Sequence, residues 1–374
     1  MPSGALPSGA LPSGALRADP GRRAPGAPGE NARMDTQSDQ ALVEQAARRA
    51  GPGARTALRA LLADVAEDGG RALRLGTGLL GSADHPVPRA GCELLAEAAD
   101  RHDEPVREAV TTAVLALGVE QEPDHQVQRA AVRALGAGQD ARAVPVLLAL
   151  AGHPDAEVRR AVAEALPPVS ADDPGRALPA LIRLTGDADP EVRNRATFAL
   201  GFQVDADSPE VRAALWSRTA DADAPTREEG IRGLARRRDP RAVPLLAELL
   251  DDEAGAHVLT FRAAAILGAP ELLPHLEQYD PADPGVADAL AGCDPAVRAR
   301  DEAFAAALLD ALHRWDPGSD AAVRAERFET GLTLALTVAG EILHWSVEGL
   351  QGRSGGAPDR AAALVLADTA GEHA

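Results

Sequence analysis

The sequence contains no lysine, so all 38 of its fixed positive charges are arginines. Aromatic residues are also scarce, at 2%. Sandwiches and barrels draw on aromatic and β-branched side chains, so this scarcity argues against an all-β fold. Cysteine is limited to Cys92 and Cys293, far apart and outside any CxxC pair. That excludes a disulfide framework or a cysteine metal cluster and points to a reducing cytoplasm. Long hydrophobic runs are missing too. The least polar stretch, residues 331–340 (GLTLALTVAG), is followed by Glu341, His344 and Glu348. It falls short of the ~20 apolar residues a membrane span needs and is expected to form a buried or capping helix. No basic segment leading into an apolar one marks an export signal. Positive charge is in deficit, with 57 acidic against 38 basic residues and a net charge of −19. Such a body is repelled by phosphate backbones and anionic lipid heads. The compact basic run Arg236-Arg237-Arg238 is followed at once by Asp239. Neither nucleic acid nor membrane is expected as a partner.

Alanine and leucine dominate the apolar 45%, and both are strong helix formers. Residues 1–33 carry PSGAL three times and then RADPGRRAPGAPGENAR, a Pro/Gly/Ala/Arg mixture that cannot bury a core and is expected to be disordered. Met34 at the join is an expected translation start. From about residue 41 to 300 the chain repeats itself. Asp155, Asp189 and Asp223 are 34 apart, as are Arg159, Arg193 and Arg227, and as are Leu166, Leu200 and Leu234; Leu267 follows 33 later. A fixed period of this length with helical patterning is the mark of a solenoid.

Each period holds two helical segments. The first reads RAVPVLLALAG, RALPALIRLTG or RAVPLLAELLD; the second reads EVRRAVAEAL, EVRNRATFALG or TREEGIRGLA. The aspartates sit at expected N-caps, where a carboxylate accepts from orphan N–H groups and meets the positive helix end. Pro190 suits a first helical position. Weaker copies at residues 84, 105, 126, 256 and 293 extend the array. The expectation is an all-α, right-handed α-solenoid of about eight helix pairs over residues 34–320. Capping helices follow over 321–374, with GRSGGAPDR (352–360) as a loop.

The segments DPRAVPLLAELLDD (239–252) and GDADPEVRNRATFALG (186–201) resemble the HEAT-repeat family, in particular its bacterial short-repeat branch named after phycobilin-lyase subunits. The resemblance covers about two-thirds of the chain. It implies the fold and a ladder between neighbouring repeats, which by position would be Asp155, Asp189 and Asp223 with Arg159, Arg193 and Arg227. Ala224-Pro225-Thr226 departs from the Pro-Glu-Val form at the third rung.

Some HEAT-like proteins are enzymes. A diiron site of the deoxyhypusine-hydroxylase kind needs His-Glu pairs, and none of the nine histidines is followed by Glu. A DNA-alkylation-repeat glycosylase needs a cationic, aromatic groove, against which the charge and composition argue. GRSGG (352–356) matches G-x-S-x-G in form but has no expected strand before it. The D-x-D pairs 187/189, 205/207 and 221/223 lack the glycine and glutamate of a calcium loop. Binding is therefore the expected function. Two columns should face outward on the concave side: Arg160, Asn194, Glu228 and Glu164, Phe198, Arg232. Phe198, with Trp216, is the expected aromatic anchor. The reading is a monomeric, cytoplasmic, non-catalytic scaffold without cofactor, binding a protein partner with a basic surface. Alternatives are a phycobilin-lyase-like enzyme subunit or protein-modifying factor, and an immunity-type inhibitor of a basic toxin.

Overall fold

The aspartates of the repeat act as helix starts. Asp155 Oδ1 accepts from the Val158 amide at 3.1 Å, Asp189 Oδ1 from those of Glu191 and Val192, and Asp223 Oδ2 from that of Thr226. The computed structural model describes residues 28–49, 51–253, 255–325, 331–338 and 341–371. Eight antiparallel helix pairs follow one another. They are α1 (Pro28–Ala47) with α2 (Pro52–Val65), α3 (Gly69–Leu80) with α4 (Pro86–Arg101), α5 (Glu104–Leu115) with α6 (His125–Gly138), and α7 (Val144–Leu150) with α8 (Ala156–Val169). The array continues with α9 (Pro174–Leu184) and α10 (Pro190–Phe198), α11 (Pro209–Arg218) and α12 (Ala224–Arg236), α13 (Ala242–Leu250) and α14 (Val258–Leu267), and α15 (Leu273–Leu276) and α16 (Val286–Cys293). Helix α1 starts at Pro28, so residues 28–33, expected in the tail, are helical; residues 1–27 lie outside the described residues.

The second helices of the pairs form one layer and the first helices another. Second helices approach one another closely because their contacts are built from glycine and alanine. A Cβ on Gly233 would fall 3.0 Å from the Gly201 Cα, and one on Gly292 only 2.6 Å from the Ala265 carbonyl oxygen. Neighbouring first helices approach one another at fewer points. The tighter layer is therefore the inner, shorter side of the curve. Between the layers runs the spine: Leu166, Leu200 and Leu234 are fully buried, together with Val158, Val162, Leu181, Leu215 and Leu246. At ~25 cal/mol per Å² of apolar area, each such leucine contributes about 2–3 kcal/mol that no single repeat could gain alone. The fourth member of the column, Leu267, is half-buried.

The C-terminal region departs from expectation. Helix α17 (Pro295–Trp315), begun by the DPAVRARDEAF segment read as a further repeat, is the spine of a separate module. It is followed by β1 (Ala322–Ala325), β2 (Leu332–Val338), β3 (Glu341–Ser346), α18 (Val347–Ser354) and α19 (Pro358–Gly371). The strands form an antiparallel sheet in the order β1-β2-β3, with Leu334 opposite Trp345 and Leu336 opposite Leu343. Residues 331–340, expected as a capping helix, thus contain the central strand. Leu332, Leu334 and Leu336 alternate with Thr333, Ala335 and Thr337, a period of two rather than 3.6. Leu334 and Leu336 pack with Phe304, Leu308, Leu312, Leu350 and Val365 in a core of their own. The array and the expected domain boundary at 320 therefore part near residue 294. GRSGG is a loop only in part: Gly352, Arg353 and Ser354 end α18, and Gly355 at φ 64° and Gly356 at φ 76° form the turn that leads to α19. Ser354 is 1% exposed and donates to the Gln351 carbonyl, so its hydroxyl faces no substrate space.

Candidate functional site

The arginine column forms a ladder, with different carboxylates from those expected. Arg159 grips Asp187 through two bonds of 2.8 Å, and Arg193 grips Asp221 through two of 3.0 Å. Each reaches from one repeat to the next, 28 residues on. The same guanidinium donates to the turn before its own helix: Arg159 to the His153 and Pro154 carbonyls, Arg193 to those of Asp187 and Ala188, Arg227 to that of Asp221. The expected partners Asp155, Asp189 and Asp223 are fully engaged as N-caps. Both carboxylates of each D-x-D turn keep the 34-residue period, so spacing alone could not assign them. The third rung is missing because its position, 28 after Arg227, is Gly255. Among the described residues no carboxylate lies within 4 Å of Arg227. Hydrogen bonding from Arg159 holds Asp187 below the usual carboxylate range. Burial pushes Asp221 up, but the Arg193 bond and the Asp223 amide outweigh it and leave it lowered.

The inner face carries a second, continuous chain of contacts. Arg129 on α6 meets Glu157 at 3.2 Å, Glu157 meets Arg160 at 2.7 Å, Arg160 meets Glu164 at 3.6 Å, and Glu164 meets Arg195 on α10 at 3.3 Å. Arg195 lies over the Phe198 ring, 5.4 Å from its centroid. Phe198 stacks on Phe202 at 5.6 Å, and Arg236 covers Phe202 at 5.8 Å. Arg160, Glu164 and Phe198 therefore belong to one surface spanning α6 to α12. Asn194 is half-buried beside it on α10. Phe202, missed from the sequence, was legible as Phe198-x-x-x-Phe202, one helical turn apart. Trp216 does not join this patch. It lies on α11 in the other layer, 41% exposed, with Arg241 stacked 4.7 Å from its ring.

Arg232 is the clearest correction. Expected to face outward, it is 5% exposed and is held by Glu228, Glu229 and the Thr260 hydroxyl of α14. Glu228 is half-buried as its partner. Burial raises Glu229 above the usual range. Arg236 and Arg237 of the basic run are internal as well, while Arg238 is exposed and donates through Nε to the Ile266 carbonyl. After Phe198 the inner helix widens into a π-turn over residues 199–203 and breaks, leaving carbonyls without helical partners. Arg237, 3% exposed, donates to the carbonyls of Leu200, Gly201, Val204, Ala206 and Gly233. Burial pulls it down to about 10, so it remains charged at neutral pH. Asp239, bonded by Arg241 and Arg212, is lowered to about 2. The basic run is thus a staple joining repeats, not a surface for phosphates. Where the array meets the C-terminal module, α14, α16 and α17 enclose a cleft of about 420 Å³ with Gly331, Leu332 and Glu348.

Stacked helix pairs sharing one spine, with a polar-aromatic inner face, define the class: this is an α-solenoid. Residues 112–201 and 178–266 match HEAT repeats, so this central part of the array is built of HEAT repeats. Comparison with curated proteins found no match. Among solved structures, the chain is similar to YibA of Escherichia coli, with 19% identity and a TM-score of 0.53, over 72% of this chain and 98% of that one. It is also similar to Kap121p bound to Nup53p, with 14% identity and a TM-score of 0.54, over 88% of this chain and 41% of that one. Kap121p bound to Ste12p gives 15% identity and 0.53 over 88% and 41%. At these identities the likeness is one of fold. HEAT-type solenoids commonly serve as protein-binding scaffolds. Among the described residues, no helix is long and apolar enough to cross a membrane.

Proposed function

We propose that the chain is a non-catalytic scaffold that binds a partner protein along its inner face. The carrying observation is the Phe198–Phe202 stack. Two half-exposed aromatic rings, flanked by Arg195 and Arg236, sit midway along a layer otherwise lined by small and charged side chains. Aromatic and arginine side chains are the residue types that dominate binding energy when a partner desolvates them. Arg160, Glu164, Asn194 and Glu228 surround this anchor as the polar rim, whereas Arg232 is buried against Glu228, Glu229 and Thr260. The net charge of −19 favours encounter with a partner whose surface is basic overall. In this reading the chain acts as a cytoplasmic monomer without a cofactor. The similarly folded Kap121p has been solved bound to Nup53p and bound to Ste12p, which accords with this reading.

The test is partner capture with the full chain and its Phe198→Ala/Phe202→Ala variant, compared by quantitative mass spectrometry. A specific partner should be retained by the native protein and depleted at least tenfold with the variant, while circular dichroism stays unchanged. Equal recovery would remove the aromatic patch from the interface.

A further inference from the structure

The inner face does not carry its charge evenly. At its N-terminal end, α2, α4, α6 and α8 border a recess of about 350 Å³. Arg55 and Arg59 enter it from α2, one turn apart, Arg89 from α4 and Arg129 from α6. Arg55 and Arg59 are exposed, and no carboxylate lies within 4 Å of either among the described residues. Arg89 bonds Gln126 at 2.8 Å through Nη1, while its Nε is shielded from solvent, donates to no acceptor and lies 3.6 Å from Glu93. Arg129 is matched by Glu157, which Arg160 shares. Asp155 is committed to capping α8 and lies 3.8 Å from His125 Nε2. The three carboxylates at the recess are thus occupied by the array, and the two guanidiniums of Arg55 and Arg59 are left without a counter-charge. The first turn of α4, which no side chain caps, opens on the same recess and its dipole adds positive potential, whereas α6 and α8 are capped by Asp124 and Asp155. In a chain of net charge −19, such a pocket is not a by-product of composition.

We propose that this recess is an oxyanion-binding subsite of the inner face, taking a carboxylate or phosphoryl group borne by an extended segment of the partner protein. Planar guanidiniums on adjacent turns match the two-oxygen geometry of either group. The proposal rests on the scaffold reading and adds a chemical requirement to it: one anionic residue seated about four helices away from the Phe198–Phe202 anchor. The partner's overall basic character governs encounter, and this single group governs register.

Fluorescence anisotropy on the full chain tests it with three labelled octapeptides of one sequence. One carries glutamates, one phosphoserines and one glutamines at the same positions. Both anionic peptides, or one of them, should bind and the glutamine peptide should not; the tighter of the two identifies the source of the oxyanion. Arg55→Gln/Arg59→Gln should weaken binding at least tenfold, and raising sodium chloride from 20 to 150 mM should weaken it further. Arg176→Gln/Arg183→Gln on α9, with the same loss of charge, should leave it within twofold. Binding of the glutamine peptide as tightly, failure of both anionic peptides, or equal binding by the Arg55/Arg59 variant would overturn the proposal. The scaffold reading is judged separately by the Phe198/Phe202 capture, which does not involve α2.

Discussion

Replacing Arg237 by methionine should be among the most damaging single changes in the array. Its guanidinium serves five carbonyls, four of them on the irregular segment 200–206 that connects α10 to α11. A buried acceptor left without a donor costs about 1–3 kcal/mol. Five in full would cost about 5–15 kcal/mol, but two terms reduce this. Gly201 keeps a bond from Arg236, and removing a buried cation returns part of its desolvation cost. The net expected loss is about 3–5 kcal/mol, the range for breaking a buried charged contact. That is a large fraction of the 5–15 kcal/mol that typically stabilises a domain. Lysine should rescue little, since one ammonium with three donors cannot span the carbonyls that a planar fork reaches. Because repeat arrays can unfold in parts, the assay pairs urea unfolding followed by circular dichroism with hydrogen exchange of residues 199–206. A loss below about 1 kcal/mol, with unchanged exchange in that segment, would refute the staple.

Further outcomes follow from the ladder and the C-terminal module. Arg159→Ala removes a bidentate, largely buried pair and should cost about 1–3 kcal/mol. Arg227→Ala, with no carboxylate to lose, should cost less than about 1 kcal/mol; equal losses in urea would contradict the rung assignment. Asp187 and Asp221 have folded pKa values below their unfolded ones, so their contribution is full above the unfolded value and vanishes as pH falls through the folded one. Unfolding followed from pH 6 to pH 2 should accordingly show a shallower acid loss in Asp187→Asn/Asp221→Asn than in the native chain, and parallel curves would exclude these groups. Leu334→Ala should cost about 2–5 kcal/mol within the C-terminal module alone, raising amide exchange in α17 and β2 while α6 to α12 keep their protection.

The repeat was legible because solenoid packing makes each unit bury the same positions against its neighbours. Leu166, Leu200 and Leu234 recur for that reason and lie at zero exposure. The N-caps were legible because a helix start is satisfied by the residue beside it: Asp155, Asp189 and Asp223 needed only local geometry. The β2 strand was also written locally, in the alternation of Leu332 to Leu336, but its low polarity invited a helix. Tertiary structure alone decided the rest. Asp187 and Asp221, rather than Asp189 and Asp223, take the ladder because only the superposition of successive turns tells one carboxylate of a pair from the other. Arg232 turns inward because Thr260, 28 residues away, offers it a hydroxyl on the next helix. Arg237 is buried because a π-turn elsewhere in the chain leaves carbonyls that need a cation. A sequence states which side chains a helix presents; which of them meet is settled by how helices stack, since ion pairs and cation–π contacts reach a few ångströms across repeats that lie some thirty residues apart.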